Sequence, residues 1–75
     1  MKEKKIRLES PDIAHEFVKC TSKCDFDVDI MYGHITIDAK SVVGVFSLDL
    51  NKPIMVRFGG KNKELEQLLS RLAVS

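Results

Sequence analysis

The sequence lacks long apolar runs and a net charge of either sign, and each absence excludes a class of protein. No apolar stretch approaches the ~18 residues that cross a bilayer, so we expect no membrane segment and no membrane partner. The first residues are charged, which predicts no secretory signal and a cytoplasmic location. With 12 basic and 11 acidic residues the net charge is +1. That balance argues against a nucleic-acid partner, which would favour a basic surface.

Cysteine is also scarce, and two cysteines are too few to predict a disulfide framework. Cys20 and Cys24 stand four residues apart in a predicted helix and therefore share a face. This favours core packing, because free cysteine is often buried and zinc-binding pairs are usually closer together on loops. A redox or metal protein that uses both cysteines is the alternative. The favoured interpretation predicts no metal and no cofactor.

The first helix is predicted to begin at Pro11 and to end near Lys23. Ser10 is a favoured N-cap, proline is favoured at the first helical position, and Asp12 complements the helix dipole. The apolar positions of this helix recur at intervals of three and four residues. They are Ile13, Phe17, Cys20 and Cys24, beside Ala14 and Val18.

Alternation of apolar and polar residues predicts four short strands. They are Lys4–Leu8, Asp27–Tyr32, residues 35–39 and Ile54–Phe58. The second and third form a hairpin around Gly33, because glycine permits positive φ. Residues 41–48 stay open between a strand, favoured by the valines, and a short helix capped by Ser41. The final helix is strongly amphipathic, and its apolar residues are Leu65, Leu68, Leu69 and Leu72.

The element order β-α-β-β-α-β-α predicts a single α+β domain over residues 1–75. Each strand has one apolar face and each long helix one apolar stripe, so three helices should cover one face of a four-stranded antiparallel sheet. The strand side chains that should face the helices are Ile6, Val28, Ile30, Ile35, Ile37, Val56 and Phe58.

One segment resembles a known family. Residues 40–48 read Lys-Ser-Val-Val-Gly-Val-Phe-Ser-Leu, which is similar to the regulatory-serine segment Lys-Ser-Ile-Met-Gly-Val-Met-Ser-Leu of the HPr phosphocarrier family. The match runs without gaps from about Lys4 to the final helix. The resemblance implies the open-faced β-sandwich of that family, the phosphoenolpyruvate sugar phosphotransferase system as the setting, protein partners from that system or from regulation, and a monomer.

The active-site motif of the family is missing. HPr proteins carry Gly-Leu/Ile-His-Ala-Arg-Pro at the start of the first helix, and residues 8–13 here read Leu-Glu-Ser-Pro-Asp-Ile. Ser10 replaces the phosphorylated histidine, Pro11 follows it, and Asp12 replaces the arginine that binds phosphate. A serine without an adjacent base is weakly nucleophilic. The sequence therefore predicts a degenerate acceptor site without catalytic residues, in a protein that is neither a phosphocarrier nor an enzyme.

Neither histidine is an obvious replacement. His15 would need a gap of five residues to reach the acceptor position, and it would lie inside the helix. We expect it to be a surface residue, and His34 to be a solvated turn residue. A true phosphocarrier that uses another acceptor is the rival hypothesis.

The resemblance also suggests a binding surface. Ser41 matches the serine that HPr kinase phosphorylates, so it is a candidate for regulatory phosphorylation. Val43, Phe46 and Leu48 lie where the family has an apolar patch that docks protein partners. These residues predict a regulatory or protein-binding module that acts through the surface around Ser41.

Overall fold

The computed structural model describes residues 1–74 and contains four strands and three helices. They are β1 (Lys2–Ile6), α1 (Pro11–Ser22), β2 (Val28–Tyr32), β3 (Ile35–Asp38), α2 (Val42–Phe46), β4 (Ile54–Phe58) and α3 (Lys63–Leu72). The strands form one antiparallel sheet in the order β1-β4-β2-β3. The helices pack on one face of it, which confirms the predicted α+β fold. Within residues 1–74 no helix is both long and apolar enough to cross a membrane.

A polar side chain fixes the start of each helix. The Ser10 Oγ accepts a hydrogen bond from the Ile13 N–H at 3.3 Å, and the Asn62 Oδ1 accepts one from the Leu65 N–H at 2.9 Å. At α2 the Ser41 Oγ accepts from the Gly44 N–H at 3.1 Å. These bonds satisfy amides that have no partner inside the helix. The cap at Ser41 decides the ambiguous segment in favour of a helix, against the strand preference of its valines.

The core lies between the sheet and the helices. Ile30, Val56 and Phe58 are completely buried on the covered face of the sheet, as predicted. They belong to the same buried cluster as Phe17 of α1 and Leu65 of α3. Burial of these large apolar side chains is the main stabilising contribution in a domain of this size.

Ile35 was predicted to lie in the core, and this is wrong. Its side chain is 57% exposed, although it shares the helix-facing side of β3 with Ile37. Gly44 of α2 lies directly over Ile37, because a Cβ added to Gly44 would stand only 2.7 Å from the Ile37 Cγ2. The short helix covers Ile37 and leaves Ile35 uncovered at the sheet edge.

The bounds of β1 and the buried face of α1 also differ from the prediction. β1 begins and ends two residues earlier than expected, and Leu8 is buried beyond the end of the strand. In α1 the buried residues are Ala14, Phe17, Val18 and Thr21. The packed stripe is therefore rotated from the predicted one, so that Cys20 is only half-buried and Cys24 lies beyond the helix. Thr21 can be buried on this face because its Oγ1 lies 2.8 Å from the Ala39 carbonyl oxygen and 3.0 Å from the Val18 carbonyl oxygen, either of which can accept its single proton.

Candidate functional site

Backbone amides at the start of α1 are already hydrogen-bonded to groups of the chain itself. Besides the Ser10 Oγ, which binds the Ile13 N–H, the Ser10 carbonyl accepts from the Ala14 N–H at 3.0 Å. Pro11 has no N–H to offer a ligand. Asp12 lies exposed in the first turn, where its carboxylate complements the positive end of the helix dipole. A phosphoryl group at this position would meet negative charge and fewer free amides.

The chain reaches α1 through a strained turn that the sequence does not reveal. Glu9 has φ of 72°, a conformation that non-glycine residues rarely adopt. The Ser10 N–H donates to the Leu8 carbonyl at 2.9 Å, which closes a γ-turn around Glu9. The Glu9 N–H donates to the Leu50 carbonyl at 2.8 Å. This bond ties the segment that precedes α1 to the loop that follows α2, so the two candidate regions are directly connected.

The two histidines lie apart and on the surface, as expected. His15 is exposed inside α1, and His34 is exposed in the turn between β2 and β3. The ring of His15 contacts the ring of Phe46, with centroids 4.8 Å apart and planes inclined at 53°. His15 therefore lies inside α1, on the side of that helix that faces α2.

An apolar surface stays exposed along α2. Val43 is 82% exposed and Val42 is 50% exposed, while Phe46 is half-buried against His15 and the core. We call Ser41, Val42, Val43 and Phe46 the α2 surface. A neighbouring open hollow of about 470 Å³ lies between α1 and α2. It is lined by His15, Glu16, Val18, Lys19 and Val42.

The structure changes the membership of the predicted docking patch. Leu48 is only 8% exposed and lies in the core cluster, so it is not part of the surface. It follows α2, and its N–H donates to the Val45 carbonyl at 3.2 Å, which turns the side chain inwards. Val42 takes its place on the surface. A helical projection from Ser41 could have assigned Val42 to the α1 side, but only after the segment was known to be helical.

The side chain of Ser41 makes one hydrogen bond, as the cap of α2. Ser41 is half-buried, its Oγ accepts from the Gly44 N–H, and its own N–H donates to the Asp38 carbonyl at 3.0 Å. Two hydrogen bonds hold the residues before Ser41 in place. The buried Thr21 hydroxyl lies 2.8 Å from the Ala39 carbonyl that accepts from it, and the Lys40 Nζ donates to the Cys24 carbonyl at 3.0 Å. The start of α2 is thus a positioned segment with one polar side chain at its rim.

The cysteines have the environment of packing residues. Burial is the largest cause that raises the pKa of both Cys20 and Cys24, and Cys24 is only 5% exposed. Reactive cysteines need the opposite, a lowered pKa and an accessible thiolate. Within residues 1–74 no three histidine, cysteine, aspartate or glutamate side chains are grouped so that they could hold a metal ion. The geometry favours the packing interpretation over the redox or metal one.

Comparison with solved structures identifies a protein with a similar fold. The chain is similar in structure to a solved protein described as HPr-C-His from Thermoanaerobacter tengcongensis, with a TM-score of 0.76. The likeness covers 97% of this chain and 91% of that chain, at 23% sequence identity. No family model and no curated protein matches the sequence. At this identity the likeness shows that the chain has an HPr-like fold.

Proposed function

We propose that this protein is a non-catalytic, HPr-like binding module that docks a cytoplasmic protein partner through the α2 surface. The partner belongs to the sugar phosphotransferase system or to a regulatory pathway connected with it. The observation that carries the proposal is the exposure of Val43 beside Val42 and Phe46. Clustered apolar side chains that stay exposed on a small protein usually mark an interaction site.

The state of the acceptor segment supports a role without phosphotransfer. A phosphocarrier needs an imidazole whose phosphate reaches the free amides of a helix start, and an arginine that adds charge-assisted bonds. Here Ser10 binds the helix amide itself, and Asp12 brings the wrong sign of charge. The α2 surface, by contrast, keeps its helix, its apolar residues and its serine.

The proposal predicts that binding depends on the centre of the α2 surface. Purified first enzyme of the phosphotransferase system and purified HPr kinase are each titrated against the labelled chain, with NMR shifts and calorimetry as readouts. Phe46→Ala should weaken binding by about 2 kcal/mol, or roughly 30-fold, as expected for an aromatic anchor. Met55→Ala is the matched control, because Met55 is a half-buried residue on the uncovered face of the sheet. Shifts away from α2, or equal affinities for both variants, would contradict the proposal.

Ser41 is the proposed point of regulation. A phosphate at a helix start is electrostatically tolerable, and next to an apolar patch it changes the charge that a partner meets. With HPr kinase and ATP, we expect one phosphate on Ser41, none on Ser41→Ala, and a change in partner affinity after modification. Modification at Ser47 instead, or modification without any change in affinity, would remove the regulatory role.

A further inference from the structure

The two edges of the sheet are treated differently. At the β1 edge Lys2, Lys4 and Lys5 are exposed, and exposed lysines discourage pairing with another strand. The C-terminal segment also covers the end of this edge, since the Val74 N–H donates to the Lys5 carbonyl at 3.0 Å. The β3 edge has neither a lysine in the strand nor a covering segment among residues 1–74. Its apolar residue Ile35 is exposed instead.

The alternation of hydrogen-bonded pairs between β2 and β3 shows which backbone groups of β3 point away from the sheet. The Ala39 N–H donates to the Val28 carbonyl at 2.9 Å, in line with the register that pairs Ile37 with Ile30. Hydrogen-bonded and non-bonded pairs alternate along an antiparallel ladder. Thr36 and Asp38 therefore direct their N–H and C=O groups away from the sheet. The Asp38 carbonyl is used by the Ser41 N–H, which leaves both groups of Thr36 and the N–H of Asp38 at the open edge.

A row of charged side chains crosses the uncovered face of the sheet and ends at the β3 edge in two neighbouring carboxylates. The register places Glu3 opposite Arg57, Arg57 opposite Asp29, and Asp29 opposite Asp38. The Arg57 Nε donates to the Glu3 Oε2 at 3.1 Å. The signs alternate until the last two positions, where two carboxylates stand side by side. Like charges directly opposite each other are unfavourable, so the row favours a proton donor or cation at the next strand position outwards.

We infer that the occupant of that position is β3 of a second copy of this chain, paired antiparallel about a two-fold axis at Thr36. In this register Thr36 of one copy faces Thr36 of the other, and they exchange both backbone hydrogen bonds. His34, the turn residue that directly precedes β3, then lies at the end of the paired strands, near Asp38 of the other copy. The imidazole N–H donates to the Asp38 carboxylate, so each copy gains a proton donor at the outer end of its row of charges.

The same register matches the covered face. Ile35 of each copy lies opposite Ile37 of the other, so the exposed Ile35 side chain gains an apolar neighbour. Side chains alternate between faces along a strand, and both sets of contacts therefore arise from one pairing. β3 is only four residues long, so the interface is far smaller than that of a stable dimer. The result is a weak dimer at high concentration, which refines the predicted monomer and uses a face distinct from the α2 surface.

Reciprocal charge reversal tests the register. Sedimentation of the unmodified chain over roughly 0.01–1 mM, a range suited to a weak interface, should show a monomer–dimer equilibrium. His34→Asp should abolish the dimer, because it places carboxylate against carboxylate. Asp38→Lys should weaken it, because it removes the carboxylate that accepts from the imidazole N–H. A one-to-one mixture of these two variants should recover dimer, since each mismatched position then meets an opposite charge. His34→Lys should dimerise at least as tightly as the unmodified chain.

Two further variants and one NMR measurement keep the test independent of folding defects. Thr36→Pro removes an outward N–H that the sheet does not use, as proline does at edge strands, and should give a folded monomer by circular dichroism. Asp38→Asn keeps an oxygen for the Lys40 N–H, which the Asp38 Oδ1 binds at 2.9 Å, but should weaken association. Concentration-dependent amide shifts should centre on Thr36 and Asp38. A strict monomer over the whole range, shifts elsewhere, or a dimer indifferent to these substitutions would overturn the inference.

Discussion

At the scale of single residues, the segment before α1 combines a filled site with local strain. Ser10 is used as a helix cap, and Glu9 is held with φ of 72° by hydrogen bonds on either side of it. An L-residue in the left-handed region costs roughly 1–2 kcal/mol. Strain of this kind persists only where the surroundings fix it. The bond from the Glu9 N–H to the Leu50 carbonyl is what fixes it here.

Glu9→Gly should therefore stabilise the protein. Glycine adopts the required conformation without steric cost, although its unfolded state is more flexible. We expect a net gain of about 0.5–1 kcal/mol in the free energy of unfolding, measured with urea. Asp25→Gly is the control, because Asp25 is exposed and has no positive φ, so that change should destabilise. A loss of stability in Glu9→Gly would show that the glutamate side chain contributes more than the strain costs.

The segment before α1 gives a second prediction at this scale. With phosphoenolpyruvate and the first enzyme of the phosphotransferase system, the chain should acquire no acid-labile phosphate, because Ser10 lacks a base and Asp12 repels the anion. Ser10→His combined with Asp12→Arg should raise labelling above that zero level, within the limits set by Pro11. Phosphorus NMR distinguishes the sites. Stoichiometric phosphate on His15 or His34 of the unmodified chain would reverse the conclusion in favour of a phosphocarrier.

At the scale of elements, α2 shows how a glycine allows close packing. Alanine is favoured over glycine in a helix by about 1 kcal/mol, so Gly44→Ala would ordinarily stabilise. Here the new Cβ would stand 2.7 Å from the Ile37 Cγ2, and overpacking typically costs about 1–3 kcal/mol. We expect a net loss of about 1 kcal/mol in the free energy of unfolding.

A double-mutant cycle checks this explanation. In an Ile37→Ala background the obstructing methyl group is gone, so Gly44→Ala should become neutral or stabilising. Equal effects in both backgrounds would show that the contact with Ile37 is not the cause. A shift of the α2 amide resonances in Gly44→Ala alone would locate the change in the helix that carries the proposed docking surface.

Sequence patterns predicted the strands and helices well, but they predicted poorly which side chains the neighbouring elements would bury. Alternation at Ile54, Val56 and Phe58 identified a strand with one buried face, and the leucines of α3 identified its buried stripe. Alternation could not reveal that Ile35 is left uncovered, because coverage depends on the length of α2, a helix that begins only at Val42. Leu48 was misplaced for a similar reason. A motif match transfers the position of a residue but not the direction of its side chain.

At the scale of the whole molecule, the buried thiols link stability to pH. Unfolded cysteines ionise near pH 8.5, and burial raises the pKa of both Cys20 and Cys24 in the folded chain. The unfolded state therefore releases these protons first as the pH rises. The stability associated with the neutral thiols is complete below that pH and is lost progressively above it.

Unfolding free energies measured with reductant between about pH 7 and pH 9.5 should accordingly fall. The variant with both Cys20→Ala and Cys24→Ala should show a smaller decline over the same interval, whatever its stability at neutral pH. An identical decline would assign the alkaline sensitivity to other groups. Fast alkylation of both native thiols at neutral pH would revive the redox interpretation.

The order of strands also dictates when a growing chain can fold on the ribosome. β1 is the first strand to be synthesised, yet its partners are β4 and the residues near Ala73. It cannot pair fully until β4 and the residues near Ala73 have emerged. Until β4 has been synthesised, nothing occupies the position between β1 and β2. In the hairpin of β2 and β3, β2 then lacks its second neighbouring strand. During synthesis the sheet therefore closes late, after β4 and the residues near Ala73 have become available to β1.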